Sequence, residues 1–216
     1  MLLKMKQITL ITIAITVLVS CSSNKKEYLF NEENLDGWVI FCEDDNIDPH
    51  EFFYVKDGMI ETPGVPLGYA RTVKQYSNYK LHVEWRYPEE PVNSGIMLHI
   101  TGPDMIWVSH YQGQLKYLNA GDFIVHGVNN SATLNDTTYT STEDVKPLIP
   151  RLNSTNEYPA GEWNTYEIIC RGNSIELYVN GLLQNIATNC TFDKGAIGLQ
   201  AEGSKIQFRN FYIEPL

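Results

Sequence analysis

The chain has 216 residues with 16 Lys and Arg against 26 Asp and Glu, a formal charge of −10, and no basic run or stripe that could track phosphates. Nucleic acid is therefore excluded as a natural partner. Thirteen Tyr and four Trp suit a β-sheet protein, and equally a protein that stacks aromatic rings on sugars.

The first segment, MLLKMKQITLITIAITVLVSC, places Lys4 and Lys6 ahead of an apolar run from about Ile8 to Val19. That run is too short to span a bilayer and reads as a secretory signal over residues 1–20. Leu18-Val19-Ser20-Cys21 resembles the lipobox of bacterial lipoproteins, in which the cysteine is lipidated and becomes the new N-terminus. Residues 21–27 then form the lipidated Cys21 and a tether, and Ser22 in place of Asp favours an outer-membrane anchor in the cell envelope. Cells fed a radioactive fatty acid should label the wild-type protein and leave Cys21→Ala unlabelled; an unlabelled wild type would remove the lipoprotein reading. Loss of Lys4 and Lys6 takes the charge from −10 to −12. About 195 residues remain, enough for one sizeable core, so residues 28–216 are expected to form one domain.

Beyond the tether come short runs with a two-residue period, separated by turn signals such as Lys56-Asp57-Gly58, Arg171-Gly172-Asn173 and Asp193-Lys194-Gly195. Strands are expected at 79–87, 95–100, 110–117, 122–127, 164–171, 174–181, 196–203 and 205–213. No helical period lasts beyond a turn or two, so the pattern is that of an all-β sandwich or barrel. Residues 128–162, rich in Asn, Thr and Pro, are too long for an ordinary connection and suit a lid, a binding loop or a surface excursion. In an oxidising compartment Cys42, Cys170 and Cys190 leave an odd thiol. A hairpin at Asn180-Gly181 would set Cys170 opposite residue 191, so a Cys170–Cys190 disulfide would require a bulge.

Taken strand by strand, the faces turned from the core carry Lys80, His82, Glu84 and Arg86; Met97 and His99; His110, Gln112, Gln114 and Lys116; Asp122 and His126; and Gln200 and Glu202. Outer strand faces are ordinarily solvated. Here His, Gln and carboxylates recur, which can donate to and accept from a hydroxyl-rich ligand. The faces are open to either reading, solvent or cleft. Two or three of His82, His99, His110 and His126 with a carboxylate could hold a divalent cation, although their spacing matches no ligand motif. Phosphate loops, His-Glu-x-x-His, paired Cys-x-x-Cys and Gly-x-Ser-x-Gly are all absent.

LFNEENLDGW (29–38), YKLHVEWRYPEEPVNSGIMLHITGPDMIW (79–107), QLKYLNAGDF (114–123), GEWNTYEIICRGNSIELYVNG (161–181) and GAIGLQAEGSKIQFRNFYIEPL (195–216) together resemble the 3-keto-disaccharide hydrolase domain family. The resemblance covers nearly the whole mature chain in order. It implies a concanavalin-like jelly roll of two antiparallel sheets with an oligosaccharide or oxidised glycoside in the concave face, and a membrane partner only through the lipid anchor. By position it marks Glu84 and Arg86 in the family's EWR, Asn93 in NSG, His99, Gln114 in QL, Asp122 in GDF, and Gln200 with Glu202 in LQ-x-EG. One departure stands out: Gln112 occupies a position where the resembling subgroup usually has Glu, and an amide cannot accept a proton as a carboxylate does.

The chemistry implied is elimination beside a ketone, since a 3-keto group acidifies the hydrogen on carbon 2. The resemblance then casts Glu84 or Glu202 as base, His99, Arg86 or a bound cation as enolate stabiliser, and Asp122 or a histidine as proton donor. Asn93, His110, Gln112, Gln114 and Gln200 would hold the sugar. The alternative is a sugar-binding lipoprotein without turnover, because jelly rolls host lectins as readily as enzymes.

Overall fold

Alternating burial is the organising feature of the computed structural model, which describes residues 25–216. In chain order the strands are β1 (Glu27–Tyr28), β2 (Trp38–Cys42), β3 (Tyr54–Lys56), β4 (Met59–Thr62), β5 (Gly68–Thr72) and β6 (Tyr79–Arg86). They continue as β7 (Gly95–Thr101), β8 (Ser109–Gln114), β9 (Phe123–His126), β10 (Ser131–Leu134), β11 (Thr137–Thr140) and β12 (Leu148–Ile149). The last are β13 (Asn164–Arg171), β14 (Ser174–Val179), β15 (Leu182–Ala187), β16 (Ala196–Ala201) and β17 (Ile206–Pro215). Helix among the described residues is one turn, α1 (Pro49–Phe52), capped by Asp48 accepting from the His50 backbone N–H.

One sheet runs β15-β14-β13-β6-β17-β4-β3, with β1 added along β17; the other runs β12-β9-β8-β7-β16-β5-β2. All strand pairings in both are antiparallel, giving the all-β sandwich that the period-two runs allow and the jelly roll that the resemblance implies. In β6, Leu81, Val83 and Trp85 are fully buried between the sheets, as are Tyr166 and Ile168 of β13, Tyr111 of β8 and Leu199 of β16. Each such side chain contributes roughly 1.5–3 kcal/mol on leaving water. Alternate residues of the same strands face out of the sandwich, on one sheet or the other.

Several expectations are refined. The run at 110–117 stops as a strand at Gln114 and turns over Lys116–Asn119. Residues 128–162 contain the β10–β11 hairpin and β12, which extends the edge of the second sheet by pairing with β9. The expected tether ends early: Glu27 and Tyr28 pair with Ile213 and Tyr212. The Asn180-Gly181 turn forms, with φ of 46° and 78°, but it joins β14 to β15. Cys170 lies one strand earlier and faces Ile175, because the chain has already reversed at Gly172-Asn173. Cys42, Cys170 and Cys190 are all free thiols, the last two buried. The signal segment and Cys21 lie outside the described residues, and no described helix is long and apolar enough to cross a membrane.

Candidate active site

The outward face of the second sheet is divided into an apolar and a polar zone. Tyr69, Met97, Ile100, Val108 and Ala196 form a small separate cluster at one end. The chain after β7 folds over that end, held by Asp104, which accepts from Arg71 Nε and Nη2 at 2.6 and 2.7 Å and from the Tyr69 hydroxyl at 2.8 Å. Arg71 holds the Asp104 carboxyl below the usual carboxylate range. This clamp brings Trp107 to the rim of the polar zone, a cleft of about 170 Å³ lined by Asn93, Gln112, Gln114, His126, Gln200 and Glu202 together with Trp107 and Lys146.

The floor of the cleft is a chain of amides whose orientation starts from the backbone. The Leu115 and Lys116 N–H groups both donate to Gln114 Oε1, at 3.0 and 3.3 Å, so that atom must be the oxygen. Gln112 Nε2 then donates to Gln114 Oε1 at 3.2 Å and to Gln200 Oε1 at 2.9 Å. Gln200 is left with its NH2 group directed toward Glu202, and Asn93, whose Oδ1 is taken by the Ser94 N–H, offers Glu202 its own NH2. Gly95 makes room for this arrangement, since a Cβ there would collide with the Gln112 side chain. Burial raises the Glu202 pKa, and hydrogen bonds from Asn93 and the charges of Lys146 and Lys116 oppose the rise without cancelling it. The result is a carboxylate that faces amide donors and whose pKa burial lifts above the ordinary Glu value.

One wall is a stack of rings. His110 and His126, opposite each other on β8 and β9, lie 4.3 Å apart and nearly parallel, and Trp107 stacks on His126 at 5.7 Å. Lys146 Nζ sits 3.3 Å from the Trp107 ring centre, where cation–π attraction holds it. His110 is anchored through Nδ1, which donates to the Val108 carbonyl at 2.7 Å. Both ring nitrogens of His126, by contrast, are buried without a partner. Burial pushes the pKa of His110 down to about 4 and that of His126 to about 2, so both rings are neutral. Burial also lowers the Lys146 pKa, which Glu202 partly restores.

Of the residues expected from sequence, Asn93, Gln112, Gln114, Gln200 and Glu202 converge here, with His110 just beneath. Glu84 and Arg86 do not. They face outward from β6 on the other sheet, across the core from the cleft, where Glu84 accepts from Arg209 and Asn210 at 2.6 Å and Arg86 stacks on Trp163. His99 is corrected as well: at φ 52° it sits in a bulge that breaks the β7–β8 register, and the extra residue turns its ring into the core against Tyr79 and Tyr111. Asp122 is a strut, accepting from the Arg151 N–H at 2.9 Å and its guanidinium at 3.2 Å. The four histidines considered for a cation are dispersed, His82 on the outer face of the first sheet, His99 in the core, His110 and His126 stacked in parallel. No three His, Cys, Asp or Glu gather to hold an ion among the described residues.

Sequence reading missed Trp107 and Lys146 and gave His126 no role of its own. His126 was visible in the period-two pattern of its strand. Lys146 is the one cation in the stretch Thr140–Pro150, and only the fold brings it across to the cleft.

No functionally curated protein matches the chain significantly. A candidate glycosyl hydrolase of Parabacteroides distasonis has a similar solved structure, with a TM-score of 0.65 and 21% identity, covering 88% of this chain and 94% of that one. The carbohydrate-binding module CBM66 of Bacillus subtilis (TM-score 0.58, 11% identity, 82% and 95% covered) and the β-glucanase of Bacillus licheniformis (0.56, 15%, 88% and 96%) share the fold. Residues 25–214 match the 3-keto-alpha-glucoside-1,2-lyase-like domain, and the chain therefore belongs to that family.

Proposed function

We propose that the protein is a carbohydrate-active enzyme that cleaves 3-keto-glycosides by eliminating the group on carbon 1 and letting water add back. The observation that carries this reading is one cleft holding a carboxylate of raised pKa, a neutral imidazole with unpartnered nitrogens, and an ammonium. Glu202 takes the proton from carbon 2, and the C–H electrons move into the C2–C3 bond as the ketone oxygen becomes an enolate. His126 N–H and Lys146 supply the hydrogen bond and charge that stabilise that oxygen. The enolate then collapses, C1–O breaks, and the leaving oxygen takes a proton from Lys146 or solvent. Water adds at carbon 1, giving up a proton to Lys146 or solvent, and Glu202, its acid proton exchanged with solvent, protonates carbon 2. Asn93, Gln112, Gln114 and Gln200 hold the sugar hydroxyls and the Glu202 side chain. Family membership supports the substrate class, and the P. distasonis protein and the β-glucanase, both described as acting on glycosides, support hydrolysis.

The test is isotopic. A 3-keto-glucoside incubated with the protein in deuterated water should gain deuterium at carbon 2 as it is cleaved. Cleavage without exchange would mean direct displacement and remove Glu202 from the role of carbon base. A second reading, binding without turnover, is favoured by the likeness to CBM66 and by the amide at Gln112; it predicts affinity with neither cleavage nor exchange. In either case we propose that Cys21 anchors the domain to the cell envelope.

A further inference from the structure

The polar cleft is small. At about 170 Å³ it falls below the ~300–1,000 Å³ usual for a small-molecule site. A second cavity of about 320 Å³ adjoins it and shares two walls with it, Trp107 and Lys146. Its character is different. Met105 and Val128, both more than half exposed, contribute apolar surface beside the Trp107 ring, and the amide floor does not reach it. Thr142 and Glu143 complete the lining.

We infer that this second cavity is the subsite for the leaving group, and that it takes a neutral, flat, apolar aglycone such as an aryl group. The inference rests on the catalytic reading above, in which the glycone lies over Gln112, Gln200 and Glu202. The group expelled from carbon 1 must then leave the amide floor, and the adjoining cavity opens across the Trp107–Lys146 boundary. Exposed Met and Val beside an indole match a ring or alkyl surface better than a second sugar, whose hydroxyls would find few partners there. The Glu143 carboxylate disfavours an acidic aglycone. Lys146, standing at the boundary, is placed to meet the oxygen that joins the two halves of the substrate.

The experiment compares phenyl and methyl 3-keto-α-glucosides on wild type and on the Met105→Ser/Val128→Ser double variant. Leaving-group reactivity cancels when the phenyl-to-methyl ratio of kcat/KM is compared between the two proteins. The double variant should lower that ratio roughly tenfold, with kcat/KM for the methyl compound nearly unchanged, which also shows that the variant is folded. An unchanged ratio would overturn the subsite. If a 3-keto-disaccharide rather than the phenyl compound lost the most, the cavity would be a sugar subsite and the aryl assignment wrong. Calorimetric titration with the two unoxidised glucosides separates the failures. A phenyl preference in affinity that disappears in the double variant, in a protein with no turnover, would retain the subsite and reject the catalytic reading; equal affinities would reject the subsite.

Discussion

Glu202→Gln is expected to lower turnover of a 3-keto-glycoside by about 10²–10⁴-fold while the protein melts at the same temperature as wild type or higher. The two effects have one cause. Burial raises the Glu202 pKa above that of the unfolded chain, so the ionised carboxylate is a cost to the folded state at neutral pH. Its favourable contribution is complete below the unfolded pKa and is lost as pH rises through the folded one. Gln removes the charge and the cost together, so the variant's advantage in Tm should be present near neutral pH and vanish in acid. Wild-type activity should rise with pH as Glu202 ionises, through a midpoint above the usual Glu value. A variant that loses stability along with activity would mean that Glu202 is a structural group, and one that keeps its activity would remove it as the base.

Gln112→Glu is expected to impair the protein further, even though the resembling subgroup usually carries Glu there. Gln112 Nε2 serves two acceptors, Gln114 Oε1 and Gln200 Oε1, and the first is fixed by backbone N–H groups. A carboxylate would turn lone pairs on both. To escape, Gln200 would have to rotate and withdraw its NH2 from Glu202, while a new negative charge nearby raises the Glu202 pKa again. Activity should fall by about 10- to 100-fold with an alkaline shift of the pH–rate profile, and stability by about 1–3 kcal/mol, the cost of leaving buried polar groups unmet. Pre-steady-state rates across pH 5–9 and thermal melts read both. Higher activity in the variant would identify residue 112 as the proper seat of the base and Gln112 as the mark of a weakened enzyme.

Strands β6–β9, β13, β14, β16 and β17 were legible because alternation in runs such as YKLHVEWR survives without knowledge of partners, whereas the shorter β1–β5, β12 and β15 were not singled out. The same pattern could not distinguish the two outward faces of a sandwich. Glu84 and Gln112 are equivalent by alternation, yet one faces a surface of arginines and the other a cleft. His99 escaped because a single bulge residue reverses the parity of its strand from that point on, and nothing in GIMLHIT announces it. Lys146 escaped because its reach depends on how residues 128–162 dock, a matter of tertiary contacts. The family motifs were divided: Asn93, Gln114, Gln200 and Glu202 line one cleft, whereas Glu84, Arg86, His99 and Asp122, marked by the same resemblance, lie outside it.

The Asp122–Arg151 strut lies outside the cleft, yet β12 and the Lys146-bearing stretch immediately precede Arg151 in the chain. The proposed acid–base floor is therefore built on the sheet, while the ammonium and the walls contributed by Val128 and Thr142 arrive on a connection held near its far end by the β12–β9 pairing and the Asp122–Arg151 ion pair. Such a division lets substitutions in the connection alter which glycosides enter without disturbing the floor. It also means that a survey of point variants scored by activity alone would rank Asp122 among the groups proposed to react, although its side chain is engaged with the strap that carries one of them.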